Sequence, residues 1–83
     1  MDWEKYGFVT VSKVRKNILI SLNKRPRLPS ELANGLKMDK SQVSRALKEL
    51  EEMGLIECLA PKHRKGRVYG LTNNGRNIML KLK

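Results

Sequence analysis

The sequence holds one cysteine and one histidine in 83 residues, and no acidic residue follows Glu57. A lone thiol closes no internal disulfide and, beside a single imidazole, builds no zinc knuckle, which implies a reducing compartment. No nucleophile stands at pairing distance from a base, no acids cluster beyond one helix face, and no glycine-rich phosphate loop is present. The expectation is a protein that is not an enzyme, with no catalytic residues, no metal and no cofactor. Long apolar runs are missing too. The longest are three residues, at Ile18-Leu19-Ile20, Cys58-Leu59-Ala60 and Ile78-Met79-Leu80. Neither a membrane span nor the apolar region of a signal peptide fits such runs, so no membrane partner and a cytoplasmic location are expected. The length allows one domain, 1–83, with a small core, and excludes barrels and doubly wound sheets.

What the sequence has in excess is positive charge. Eighteen lysines and arginines against eight acids leave +10. Residues 1–57 carry eleven basic and eight acidic residues, whereas 58–83 carry seven basic residues and no acid. Self-repulsion of this size does nothing for folding, so a polyanionic partner is the natural reading, against the alternative of a merely basic, solubilising surface.

The chain reads as an α+β fold, mostly helical, with four helical segments and two strands. Residues 3–8 hold three of the four aromatics, Trp3, Tyr6 and Phe8, and are read, within an arm over 1–10, as a segment that docks on something. A helix over 12–23 places Val14, Ile18 and Leu22 on one stripe, widened by Leu19. Ile20 falls on its opposite side, an apolar contact that the aromatic segment or another subunit would cover. Lys24-Arg25-Pro26-Arg27 ends that helix. The next runs over 29–36, with Pro29 suited to its first position and Glu31 in its first turn. After a turn at Lys37-Met38-Asp39, Asp39 and Gln42 form a capping-box pattern for a helix over 40–53, which stops at Gly54.

The helix over 40–53 divides by chemistry. Val43, Ala46, Leu47, Leu50 and Met53 form a core stripe. Lys40, Ser41, Gln42, Ser44, Arg45 and Lys48 make the early turns polar and basic, while Glu49, Glu51 and Glu52 are confined to the later ones. That division suits a helix entering a DNA groove by its N-terminal half, although an ordinary solvated face with i,i+4 pairs would read similarly. Strands over 55–59 and 67–71 then flank a loop at 60–67, where Lys62, His63, Arg64, Lys65 and Arg67 cluster. Such residues on a projecting loop reach phosphates; the alternative is a solubilising loop. Cys58, beside Ile56 and Leu59, reads as a buried inert thiol. A last helix over 73–83, capped by Thr72, closes the core with Gly75, Ile78, Met79 and Leu82.

In this order the elements resemble a winged helix-turn-helix domain: a three-helix core, a two-stranded β-hairpin wing and a short C-terminal helix. Leu28-Pro-Ser-Glu-Leu-Ala33 looks like the family's second-helix opening, and Ser41-Gln-Val-Ser-Arg-Ala-Leu-Lys-Glu-Leu50 like its recognition helix. Glu51-Glu-Met-Gly-Leu-Ile56 leads into the wing, and Val68-Tyr-Gly-Leu-Thr-Asn-Asn-Gly75 is similar to the Leu-Thr-x-x-Gly junction after it. The resemblance spans about 10–83 and is nearest to small archaeal and bacterial regulators of the MarR/ArsR-like group. It implies a helix-turn-helix over 29–53, a wing over 55–71 and a final helix over 73–83. It further implies sequence-specific binding of double-stranded DNA by a transcriptional regulator, with Arg45 and Gln42 on base edges and Ser41, Ser44 and Lys48 on phosphates. A homodimer would join through Trp3, Tyr6, Phe8 and Ile20, unless these aromatics fold back on their own core. No effector ligand is indicated. The rival readings are an RNA or non-specific nucleic-acid module, and a protein-interaction winged helix within a larger assembly. Two departures stand out: Leu28 replaces a capping Thr or Ser, and Lys37 replaces a Gly where a left-handed backbone is required.

Overall fold

The computed structural model describes residues 3–59 and 68–82. Helix α1, Trp3–Thr10, corrects the reading of the N-terminal segment as an arm. Its only fully buried residue is Val9, with Tyr6 and Phe8 packed partly against the same core. A turn at Val11 leads to Ser12, whose Oγ accepts the Arg15 N–H at 3.3 Å and caps α2, Lys13–Lys24. Ile18, Leu19 and Leu22 of α2 are buried and Val14 half-buried, the stripe expected from their spacing. The helix ends at Lys24 because Arg25, ahead of Pro26, is extended.

Helix α3, Pro29–Leu36, starts without a side-chain acceptor at Leu28. Glu31 compensates by reaching back: its Oε1 accepts the Leu28 N–H at 2.9 Å. That hydrogen bond, and then Arg25 beside it, hold the Glu31 carboxyl below its usual value. The helix closes on Lys37 at φ 55° and ψ 50°, the left-handed residue expected there, with Met38 N–H donating to Ala33 O at 2.9 Å.

Helix α4, Lys40–Glu52, buries Val43, Ala46, Leu47 and Leu50 against α2 and α3. The Asp39–Gln42 capping box is not formed: Asp39 makes no side-chain cap bond. Gln42 is turned instead toward a cleft beside Arg15 and Arg45, and an exposed carboxylate gains little by giving up water for an amide. The far end of α4 is closed by two bonds, Gly54 N–H to Glu51 O at 2.9 Å and Leu55 N–H to Leu50 O at 3.0 Å. This arrangement needs a left-handed residue, supplied by Gly54 at φ 75°.

Strands β1, Ile56–Cys58, and β2, Tyr69–Leu71, pair antiparallel with Ile56 opposite Leu71 and Cys58 opposite Tyr69. A bond from Leu59 N–H to Val68 O at 2.7 Å prolongs the ladder toward the connecting loop. On the other edge of β2, Arg27 exchanges two backbone bonds with Tyr69, at 3.0 and 2.9 Å. This third, one-residue strand ties the link between α2 and α3 to the hairpin. Helix α5, Asn73–Leu82, is capped by Thr72, whose Oγ1 accepts the Gly75 N–H at 3.1 Å and donates to Gly54 O at 2.6 Å. Gly75, Ile78 and Met79 are buried and Leu82 half-buried, the stripe expected to close the core.

Candidate nucleic-acid interface

The amphipathic sequence of α4 settles which side chains are free to meet a partner. With Val43, Ala46, Leu47 and Leu50 committed to the core, helical geometry turns Lys40, Ser41, Gln42, Ser44, Arg45 and Lys48 outward, and all six are exposed. Among the described residues, none of these six makes a side-chain hydrogen bond or ion pair. Three cations, two hydroxyls and an amide therefore stand on one side of one helix with their donors unused.

One edge of that same face is built differently. A cleft of about 160 Å³ separates it from the start of α2, lined by Ser12, Val14, Arg15, Gln42, Arg45, Ala46 and Glu49. Within it Arg15 donates to Glu49 Oε1 from Nη2 at 3.2 Å and from Nε at 3.4 Å. The same guanidinium donates to the Phe8 carbonyl at 2.9 Å and lies 3.7 Å over the Phe8 ring. Arg15 was not among the residues that the sequence singles out. The contact spans 34 positions, and no local pattern marks it.

The loop residues Lys62, His63, Arg64, Lys65 and Arg67 lie outside the described residues. The aromatics of α1 divide. Tyr6 and Phe8 pack on their own core, as the fold-back alternative has it, while Trp3 is 67% exposed and touches Tyr6 edge-on at 5.7 Å. Ile20, 37% exposed, borders a separate groove with Asn17, Lys24 and Leu36 on its walls. Cys58 is half-buried and packs against the core. Among the described residues no group of three His, Cys, Asp or Glu side chains could hold a metal, and no helix is long and apolar enough to cross a membrane.

Comparison with known proteins gives this geometry a context. A family model, the bacterial regulatory proteins of the arsR family, matches residues 12–57. No curated protein matches the chain significantly. The solved transcriptional regulator Tm0710 from Thermotoga maritima is similar over 88% of this chain and 53% of its own, with 25% identity and a TM-score of 0.80. The transcriptional regulator BldR from Sulfolobus solfataricus is similar over 84% of this chain and 51% of its own, with 28% identity and a TM-score of 0.77. Apo MarR from E. coli is similar over 84% of this chain and 53% of its own, with 26% identity and a TM-score of 0.78. The chain thus spans about half the length of the solved structures it matches.

Proposed function

The chain belongs to the arsR family of bacterial regulatory proteins, and on that premise we propose that it is a transcriptional regulator that binds double-stranded DNA sequence-specifically through α4. The observation that carries this reading is the outer face of α4, six exposed polar side chains without intramolecular partners among the described residues, backed by a buried apolar stripe. A helix so divided fits a major groove about 12 Å wide by its polar half. Arg45 and Gln42 would take base edges, since a guanidinium donates to the two acceptors of guanine, and a carboxamide donates to the N7 acceptor of adenine while accepting from its N6 amino group. Lys40, Ser41, Ser44 and Lys48 would fix the register on phosphates, and Lys62, His63, Arg64, Lys65 and Arg67 would reach the backbone or the adjacent minor groove.

Selecting bound sequences from a random duplex pool tests the reading directly. A shared motif, bound in preference to random duplex and to RNA, is the expected result. Equal retention of RNA and all duplexes would point to a non-specific nucleic-acid module, and no retention to a protein-interaction winged helix.

Replacing Lys62, Arg64 and Lys65 together by alanine is expected to weaken binding to every duplex by similar factors. It should also lower the slope of log K against log salt by up to ~2–3, because each lost phosphate contact removes ~0.9. The melting temperature should hardly move, since single ion pairs of solvated lysines and arginines contribute little to folding. An unchanged slope would take these residues off the DNA.

The finer proposal is a two-fold symmetric homodimer. A single module covers only ~600–1,000 Å² of protein surface on DNA, and two copies on half-sites about one helical turn apart would double it. The exposed Trp3 ring is the natural centre of the interface, with Ile20 as further apolar surface; Tyr6 and Phe8, packed partly on their own core, would contribute only their remaining exposed edges. Sedimentation equilibrium should give a dimer for the full chain and a monomer for Trp3→Glu, which leaves the buried Val9 contact untouched. A monomeric full chain at high micromolar concentration would refute the dimer, and a dimeric variant would move its interface elsewhere.

A further inference from the structure

Arg15 is engaged on several sides at once. It sits in the first turn of α2 with its side chain 19% exposed. One guanidinium meets the Glu49 carboxylate twice, the Phe8 carbonyl once and the Phe8 ring face. A planar fork can satisfy partners in three directions at once, which a lysine ammonium on a flexible stem does less well.

The partner that matters is Glu49. On α4 it lies four residues after Arg45, and the two line the same cleft. Opposite charges four apart on a helix ordinarily attract, so a free Glu49 would draw the Arg45 guanidinium along the helix toward itself. In the structure, Glu49 gives its Oε1 to Arg15, and Arg45 makes no ion pair among the described residues. The stripe Gln42, Arg45, Glu49 also brings a carboxylate toward the side of α4 on which phosphates would lie. An unneutralised charge there would oppose DNA.

We infer that Arg15 is a positioning residue for DNA binding: by holding the Glu49 carboxylate, it keeps the Arg45 guanidinium free for the duplex and neutralises the acid at the end of the interface. The inference rests on the reading of α4 as the groove helix. Arg15 itself need touch no nucleotide. Its work is done through Glu49, and its stacking on Phe8 makes that geometry depend on how α1 is seated.

The test is a set of exchanges read by affinity for the selected duplex, its salt slope and the melting temperature, each variant being assayed well below its own transition. Arg15→Ala should weaken binding by about three- to fivefold, the combined effect of a competing i,i+4 pair and an exposed carboxylate near phosphates. Adding Glu49→Gln should restore affinity to within about twofold, because the amide neither repels phosphate nor captures Arg45 as an ion pair. That second exchange cannot rebuild the lost contacts to Phe8, so any fall in melting temperature should persist while binding recovers. In an Arg45→Ala background, Arg15→Ala should cost less than about twofold more, leaving mainly the repulsion by Glu49. A loss that Glu49→Gln does not rescue overturns the inference. With a salt slope lowered by ~0.9 it would make Arg15 a phosphate contact itself; with an unchanged slope and a lowered melting temperature, a packing residue only. Unchanged binding by Arg15→Ala overturns it as well. Arg45→Ala that leaves specific binding intact would defeat the parent reading of α4, an outcome that the other variants cannot mimic.

Discussion

Gly75→Ala is expected to lower the melting temperature by roughly 8–16 °C, corresponding to about 2 kcal/mol in a domain of this size. The cause is a backbone contact. A Cβ at position 75 would collide with the Leu55 carbonyl oxygen and lie 3.2 Å from the Leu55 carbonyl carbon and 3.3 Å from Leu71 Cδ2. The carbonyl has no room to yield. It accepts the Thr72 N–H at 3.1 Å, and the Leu55 N–H is bound to Leu50 O at 3.0 Å. The Leu55 side chain is fully buried. On the other side, the Thr72 hydroxyl clasps Gly54 O and the Gly75 N–H together, so α5 cannot slide without breaking its own cap. Overpacking ordinarily costs ~1–3 kcal/mol, and a rigid main-chain neighbour places this site at the upper end. The better helix propensity of alanine returns ~1 kcal/mol. Gly35→Ala is the internal control: nothing lies within 4 Å of its added methyl, so stability should hold or rise. Thermal denaturation followed by circular dichroism separates the two. A Gly75→Ala protein melting like the unaltered chain would mean that α5 does not seat on Leu55.

The junction at Gly75 also shows what kind of information the sequence carries. Features fixed by a few neighbouring residues are legible. Pro29, Gly54 and Thr72 mark helix ends because the preferences behind them are local, and Lys37 takes its left-handed backbone as the turn requires. The division of α4 into a buried stripe and a polar face is legible for the same reason, since a period of 3.6 is written into consecutive residues. The Asp39–Gln42 box was a local inference that failed, because a motif permits a bond but solvent competes for both partners. Features that need distant partners are not legible. Helix α1 contains Gly7 and the β-branched pair Val9-Thr10, poor helix formers, and holds its shape with Val9 buried against the rest of the fold. The bridge of Arg27 to Tyr69 is one residue long and carries no alternation to detect. The Arg15–Glu49 pair joins residues 34 positions apart, so the feature that bears most on the availability of Arg45 is absent from any window of the sequence.

Arg45→Ala is expected to cost ~1–3 kcal/mol on the preferred duplex, roughly five- to 150-fold in affinity, and to relax preference at one or two base pairs. Arg45 is exposed near the middle of the polar half of α4, between Gln42 and Lys48 on the side turned from the core. It makes no ion pair or side-chain hydrogen bond among the described residues, so its removal breaks nothing inside the protein. Alanine is at least as good a helix former, and surface exchanges of this kind usually shift stability by less than ~0.5 kcal/mol. The melting temperature should therefore hold while binding falls, which separates a lost contact from a damaged fold. Lys48→Ala supplies the contrast. A point charge on phosphate carries no base information, so its loss should weaken random and preferred duplexes alike and lower the salt slope by ~0.9. If Arg45→Ala behaves as Lys48→Ala does, the guanidinium is a backbone contact and Gln42 becomes the leading base reader. Binding unchanged on both duplexes would remove α4 from the groove, and with it the assignment of the exposed polar face to DNA.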